Sequence, residues 1–168
     1  MKDPANVERV LRAYEPALRR LVASYERDAA LAEDLLQEIL LALVRALPGF
    51  RQDCSERTFV YRVAHNRALT HLAARRAPLD EIDRAAHVPD PAPWPEEAAA
   101  AGQRREALLT ALRSLPLRHR QVLGMALEGL STAEVAGVLG ITENNVGVRL
   151  NRARAALRSA LTGGKEEP

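Results

Sequence analysis

The chain has 168 residues, of which 47% are hydrophobic, 27% charged and only 4% aromatic. This composition is typical of a soluble globular protein and excludes a disordered or fibrous one. No apolar run approaches the roughly 20 residues that cross a bilayer, and the N-terminus lacks the apolar core of a secretory signal, so we expect a cytoplasmic protein without membrane insertion. The single cysteine, Cys54, excludes an internal disulfide and a cysteine-cluster zinc site.

Charge is distributed unevenly along the chain, although the formal net charge is only +2. Residues 51–76 carry six basic and two acidic side chains, and residues 103–161 carry nine basic and four acidic ones. Between them, residues 77–102 have one basic and six acidic groups. Two basic segments on either side of an acidic one indicate two modules that face a polyanion and a linker that avoids it.

The first predicted domain, residues 1–76, is expected to be helical throughout. Residues 5–28 place apolar side chains at helical spacing, although Pro16 could bend or divide that helix. Residues 28–47 predict a second helix, which should end at Pro48 and Gly49. Its apolar face is predicted to include Leu35, Ile39, Val44 and, at its edges, Leu36, Leu40, Leu43 and Leu47.

A polar loop at residues 51–56 is followed by a third predicted helix over residues 57–76. The side chains expected to be buried there are Phe59, Val63, Leu69 and Leu72. No alternating pattern of useful length predicts a strand anywhere in the chain.

Residues 77–102 form a predicted linker that is acidic and rich in proline. Four of the ten prolines lie between Pro89 and Pro95, and proline both removes a backbone donor and disfavours helix in the preceding residue. We interpret the segment as an interdomain tether; the alternative is a long loop within one domain, which is uncommon. Trp94 could dock on a partner or pack locally.

The second predicted domain, residues 103–162, ends in a helix-turn-helix pattern, and residues 163–168 form a tail. Ser131 and Glu134 have the spacing of a capping box at the start of one helix, and Gly140 can adopt the positive φ of a turn. Thr142 then caps a second helix with a single buried stripe. This stripe consists of Val146, Leu150, Ala153 and Leu157.

The opposite face of that second helix is polar and basic, and it has the side chains that read DNA. Asn suits adenine, Arg suits guanine, an apolar group suits the methyl of thymine, and the remaining arginines suit phosphates. The alternative is an ordinary helical corner with a solvated face. The predicted DNA-binding residues are Asn144, Asn145, Val148, Arg149, Arg152 and Arg154.

Two halves of the chain together resemble the extracytoplasmic-function sigma factors of bacterial RNA polymerase, a group of the sigma-70 family. The segment "AEDLLQEILLALVRALPGFR" is similar to the family's DLxQE-containing helix, and "RTFVYRVAHNRALTHLAARR" is similar to its aromatic, basic promoter-melting helix. The segment "LRSLPLRHRQVLGMALEGLSTAEVAGVLGITENNVGVRLNRARAAL" is similar to its C-terminal domain. The resemblance extends from about residue 8 to residue 161.

The resemblance implies three binding surfaces and their partners. The helix that docks on the clamp of core RNA polymerase is matched by Asp34, Leu35, Gln37, Glu38 and Leu41. The region that captures the opened minus-10 element of promoter DNA is matched by Asp53, Phe59, Tyr61, Arg62, His65 and Asn66. The minus-35 element would be read by the predicted DNA-binding face of the second domain. The resemblance also implies regulation by an anti-sigma factor.

Several of these assignments have structural alternatives, and the helix-turn-helix departs from the family pattern. Asp34 and Glu38 could simply be solvated, as a charged helix face usually is. Phe59 could be a core residue, and His65 could be an ordinary polar helix residue. The family usually has Gly-Thr at Asn144-Asn145 and often Lys-Ser at Gly147-Val148. Loss of a lysine removes a phosphate contact, and each such contact steepens the salt dependence by roughly 0.9 in log-log slope.

Three functional classes are therefore compared. The leading hypothesis is a promoter-specificity subunit of RNA polymerase, and the alternative is a free-standing helix-turn-helix regulator that uses the second domain alone. An enzyme is not expected, because the sequence has no nucleophile motif, phosphate-binding glycine loop or metal cluster. We accordingly expect no cofactor and no metal.

Overall fold

The computed structural model describes residues 4–76 and 96–162. These residues contain seven α-helices, a 3-10 turn at Leu47–Gly49 and no strand, which confirms the all-α prediction. The predicted tail and most of the predicted linker, including Trp94, lie outside the described residues. The helices are α1 (Pro4–Tyr25), α2 (Ala29–Ala46), α3 (Glu56–Arg76), α4 (Glu96–Ser114), α5 (Leu117–Leu127), α6 (Thr132–Leu139) and α7 (Glu143–Thr162).

Helix α1 is continuous across Pro16, so the proline does not divide it. Pro16 is itself exposed, whereas Val10 before it and Leu18 after it are fully buried in the same core. Packing on both sides of the proline therefore holds the helix together despite the missing backbone donor.

Helix α2 begins where the sequence predicts, because the side chain of Asp28 accepts a hydrogen bond from the amide of Leu31 at 3.0 Å. Its buried stripe contains Leu35, Leu36, Ile39 and Leu43. The prediction that Val44 belongs to this stripe is wrong, since Val44 is 42% exposed. One helix face can bury only a limited arc of side chains, and Val44 falls outside it.

Helix α3 buries different residues from those predicted. The fully buried side chains are Val60, Tyr61, Ala64 and Ala68, whereas Phe59, Val63, Leu69 and Leu72 are only partly buried. The reason is that α3 packs on α2 on one side and on α6 on the other. A helix covered from two sides does not have one apolar stripe, so periodicity alone misplaces its core face.

Helix α4 begins at Glu96, within the segment predicted as linker up to residue 102. Alanine has the highest intrinsic helix propensity, and the run Ala98–Ala101 lies in this first part of α4. That run explains why the helix starts several residues earlier than the charge pattern indicated.

The helix-turn-helix prediction is confirmed in its local details. Ser131 and Glu134 form both hydrogen bonds of a capping box, and Gly140 follows α6 with φ +66°. The hydroxyl of Thr142 accepts a hydrogen bond from the amide of Asn145 at 3.2 Å and so caps α7. Residues Val146, Leu150 and Ala153 are buried, and Leu157 packs partly against them.

The two helical units share one hydrophobic core. Buried residues of α1–α3 and of α4–α7 form a single cluster, with α3 against α6 and α1 against α4 and α5. The sequence predicted two domains on a tether and gave no indication of this contact.

Candidate nucleic-acid and polymerase interfaces

The outer face of α7 presents the predicted minus-35 residues to solvent. Asn144, Asn145, Arg152 and Arg154 are exposed, Val148 is 43% exposed and Arg149 is half-buried. The buried stripe of α7 faces α5 and α6 instead, so the two faces predicted for this helix are separated as expected. Asn144, Asn145, Val148, Arg149 and Arg152 share one polar and basic face of α7, whereas Arg154 lies toward its flank.

The side chain of Arg149 is oriented by a neighbour on the same helix. Its Nε donates a hydrogen bond to Oδ1 of Asn145 at 2.9 Å. The two residues are four apart, which places them one above the other on a helix surface. This hydrogen bond uses only Nε. The two terminal nitrogens of the guanidinium can therefore still donate to two acceptors.

The basic surface extends beyond α7 to the start of α5, which the sequence interpretation missed. Burial and the nearby charges of Arg118, Arg152 and Arg149 lower the pKa of His119. Arg118 is exposed on the same turn of α5. The run "LRHR" after Pro116 was the available signal, but only packing of α5 on α7 brings it beside the recognition helix.

The predicted minus-10 residues fall into an exposed group and a covered group. Asp53 in the loop, Arg62 and Asn66 are exposed. Phe59 is half-buried, and its ring centroid lies 4.6 Å from that of Phe50. The alternative that Phe59 is a core residue therefore has direct support, since its ring packs against that of Phe50.

Tyr61 and His65 belong to the covered group and are 1% and 6% exposed. Burial, with a further contribution from the charge of Glu128, raises the pKa of Tyr61 to about 12. Burial also lowers the pKa of His65, whose Nδ1 has no hydrogen-bond partner among the described residues. In this conformation neither ring is available to a base.

The predicted polymerase-binding residues of α2 divide in the same way. Asp34, Gln37 and Glu38 are exposed, and Leu41 is 57% exposed. Leu35 is fully buried and contributes to the core rather than to a surface. The exposed Val44 lies near Leu41 on α2, so this helix presents two large apolar side chains to solvent beside its carboxylates.

No helix of the described residues is both long and apolar enough to cross a membrane. The same residues contain no group of three or more His, Cys, Asp or Glu side chains placed to hold a metal ion.

The capped pair α6–α7, with its glycine turn and its basic outer face, defines a protein of the helix-turn-helix class. Comparison with known proteins is more specific. Residues 10–77 match sigma-70 region 2 and residues 105–157 match sigma-70 region 4.

Several known proteins are similar to the chain over most of their length. The RNA polymerase sigma-H factor of Pseudomonas aeruginosa is 32% identical, covering 95% of this chain and 94% of that one. The ECF RNA polymerase sigma factor SigM of Mycobacterium tuberculosis is 31% identical over 92% of this chain and 76% of its own. The sigma factor RpoE of Bartonella quintana, solved with the anti-sigma factor NepR, has the same fold with a TM-score of 0.70 at 19% identity, covering 94% of this chain and 97% of that one. The chain therefore belongs to the extracytoplasmic-function group of the sigma-70 family.

Proposed function

We propose that this sigma factor contacts its partners through three surfaces. Helix α2 binds core RNA polymerase, the loop before α3 together with α3 captures the opened minus-10 element, and α7 reads the minus-35 element. Each surface is built by a different helix, so the contacts can be tested separately by substitution.

For the polymerase surface, the support is the pairing of carboxylates with exposed apolar groups on α2. Leu41 is more than half exposed, and Asp34 and Glu38 are exposed on the same helix. Large apolar side chains surrounded by polar ones are typical of protein interfaces. Leu35 is expected to support this surface from inside the core.

For the minus-10 surface, the support is the combination of aromatic and cationic side chains on one helix and its preceding loop. Unstacked bases bind aromatic faces, with stacking worth roughly 1–3 kcal/mol per base, while cations bind the phosphates. Arg62 and Asn66 are exposed, and Phe59 is half-buried. Tyr61 and His65 can contribute only after α3 is uncovered.

For the minus-35 surface, the support is the exposed row of α7. We infer that Arg149 reads a guanine through its terminal nitrogens while Arg152 and Arg154 contact phosphates. The alternative role for Arg149 is a phosphate contact. Because Gly147 stands where the family often has lysine, we expect fewer phosphate contacts and a weaker salt dependence than the family pattern implies.

In this proposal the chain catalyses no reaction of its own. It acts in the cytoplasm together with RNA polymerase. An anti-sigma factor is a further proposed partner, supported by the complex of the Bartonella relative with NepR.

The observation that carries the proposal is that region 2 and region 4 occur in order on one chain, with an exposed apolar group on α2. The test is in vitro transcription with purified core polymerase, followed by sequencing of the promoters selected. Transcription that depends on the chain is expected. Tight promoter binding by the chain alone, without association with polymerase, would instead support the free-standing regulator.

A further inference from the structure

We propose that a cavity between α1, α4 and α5 binds a free fatty acid, with the aliphatic chain inside and the carboxylate at the entrance. The cavity has a volume of about 330 Å³. None of the residues that line it belongs to the three surfaces proposed for polymerase and promoter DNA. The ligand site is therefore additional to the proposed function and does not rest on it.

The wall of the cavity is apolar. Leu21 of α1 and Leu112 of α4 are buried there. Leu108 and Leu109, one turn earlier on α4, are half-buried. Ser24 also lines the wall, but its Oγ already donates a hydrogen bond to the carbonyl oxygen of Leu21 at 2.6 Å. Ligand pockets of roughly 300–1,000 Å³ typically have such a wall, and an apolar cavity stays dry and binds apolar molecules.

Helices α1 and α5 close one end of the cavity at Gly124. A Cβ atom added there would lie 3.5 Å from Cδ1 of Leu21 and 3.5 Å from Oγ of Ser24, which is ordinary van der Waals contact. Leu127 lies one turn further along α5 and is 53% exposed. The entrance is therefore beside Leu127, and an aliphatic chain can extend inward from it towards Gly124.

The entrance has one cation that no carboxylate neutralises. Arg20 and Glu128 both line it, but they neutralise each other, since Nε of Arg20 lies 3.0 Å from Oε1 of Glu128 and Nη2 lies 2.7 Å from Oε2. Arg105 is exposed and forms no ion pair with any other residue that the structure describes. A carboxylate complements a guanidinium through two parallel hydrogen bonds. The charge at the entrance therefore favours an acid as the ligand.

The volume of the cavity limits the length of the aliphatic chain. A protein cavity of about 150 Å³ holds benzene, which has six carbons, so the present one has room for on the order of ten to twelve carbons. A phospholipid, with two longer chains, does not fit. Each methylene buried contributes about 0.8 kcal/mol, which corresponds to about fourfold in affinity.

The first test is a calorimetric titration of the full chain with the saturated acids from hexanoate to tetradecanoate, below the concentrations at which they form micelles. We expect one acid per chain and about fourfold tighter binding per methylene, with no further gain beyond roughly ten to twelve carbons. Decanoate at about 100 times its Kd should raise the Tm by about 5–10 °C. Several acids per chain, with an affinity that still rises at tetradecanoate, would show surface adsorption and overturn the proposal.

The second test concerns the charge at the entrance. Decylammonium has the chain length of decanoate and the opposite charge, so it should bind about fivefold more weakly, as expected for a solvent-exposed ion pair. Arg105→Gln should remove this preference. Arg104→Gln is the matched control, because Arg104 is exposed on the same helix but does not line the cavity. Equal binding of the two compounds by the unmodified chain would contradict an acid as the ligand.

The third test places a carboxylate at the entrance. Leu127→Asp should weaken decanoate binding at least about tenfold, because part of the apolar contact is lost and the new charge repels that of the ligand. Since Leu127 is more than half exposed, the variant is expected to fold, and circular dichroism checks this. Leu161→Asp, 40% exposed near the end of α7, is the control and should bind as the unmodified chain does. If Leu127→Asp folds and binds decanoate equally well, the acid is not in this cavity.

Discussion

The carboxylate of Glu26 accepts a hydrogen bond from Nε2 of His71 at 3.3 Å, although the two residues are 45 positions apart. Oε2 of Glu26 also accepts from Arg75, and Oε1 accepts from the amides of Arg27 and Asp28 at 2.9 and 3.2 Å. The side chain of Glu26 is 5% exposed. One buried carboxylate thus joins the end of α1 and the start of α2 to the last turns of α3.

Glu26→Gln should lower the free energy of unfolding by about 1–3 kcal/mol, since hydrogen bonds to charged groups each contribute roughly 1.5–3 kcal/mol and Arg75 is partly screened by solvent. Urea unfolding at pH 7 measures the change. Glu33→Gln is the matched control, because Glu33 pairs with Arg19 on the surface and its side chain is 45% exposed. A surface pair of this kind contributes about 0–1 kcal/mol.

The effect of Glu26→Gln should also depend on pH. Burial acts to raise the pKa of Glu26, but hydrogen bonds from Arg75, Asp28 and His71 outweigh it, and the pKa lies below its usual 4.5. The carboxylate therefore contributes stability above that pH and loses it as the pH falls through the lowered pKa. The two unfolding curves should converge in acid. A constant difference between them would contradict a role for the charge.

His65 should make the protein less stable in mild acid. Burial lowers its pKa below the usual 6.5, so the unfolded chain takes up a proton that the folded chain does not. Stability is then unaffected above that pH and falls as the pH drops below it, with a slope of at most about 1.4 kcal/mol per pH unit for one proton. Urea unfolding between pH 7 and pH 5 should show a shallower slope for His65→Leu. If the pH dependence of the free energy of unfolding were the same for His65→Leu, the proton would be taken up by a residue other than His65.

Substitution by alanine should lower the free energy of unfolding at Gly140 and raise it at Gly147. A Cβ atom meets nothing within 4 Å at either position, but only Gly140 has a positive φ, of +66°. Gly140→Ala should cost about 1–2 kcal/mol, because left-handed backbone disfavours a side chain. Gly147→Ala, inside α7, should stabilise by up to about 1 kcal/mol. Thermal unfolding compares them, and equal effects would show that backbone conformation is not the cause.

Asn145→Ala should relax base selectivity at the same promoter position as Arg149→Ala. Arg149→Ala is expected to cost roughly 1–3 kcal/mol at that position if it reads a base. Loss of the hydrogen bond from Arg149 to Asn145 should cost about 0.5–1.5 kcal/mol there. Sequencing of selected promoters measures both variants. Asn151→Ala, exposed on the same helix, is the control, and a uniform loss across all sequences would make Arg149 a phosphate contact.

Leu41→Ser should weaken binding to core polymerase by about 1 kcal/mol or more, because burying a leucine side chain on binding contributes roughly 1.5–3 kcal/mol. It should leave the free energy of unfolding within about 0.5 kcal/mol, because the side chain is 57% exposed. A polymerase-binding titration measures the first effect. Leu161→Ser, 40% exposed near the end of α7, is the control and should change neither quantity. Equal binding by both variants would remove α2 from the polymerase surface.

Much of the candidate site could be predicted because its determinants are local. The capping box of Ser131 and Glu134, the turn at Gly140 and the stripe from Val146 to Ala153 each depend on residues a few positions apart. Side chains at this spacing meet in any helix, whatever the rest of the chain does. The polar outer face of α7 follows from the same geometry.

The core face of α3 and the burial of Tyr61 and His65 could not be predicted in the same way. Both side chains belong to α3, which packs on α6 from across the linker as well as on α2, and the sequence does not identify α6 as a neighbour. The carboxylate of Glu26 is another example, since its partners are 45 and 49 residues away. A polar residue in a turn gives no local signal of such contacts.

The sequence by itself determined the all-helical class, the helix-turn-helix with its capping box and glycine turn, and the family, because these depend on short-range spacing and on motifs that lie within single segments. Only the tertiary structure decided which faces meet. Arg57 and Arg62 bind the carbonyls of Glu128 and Gly137 across 71 and 75 residues, and these contacts arise from packing between units. Such packing depends on shape and on unpaired helix ends brought together in space, which periodicity along the chain does not encode.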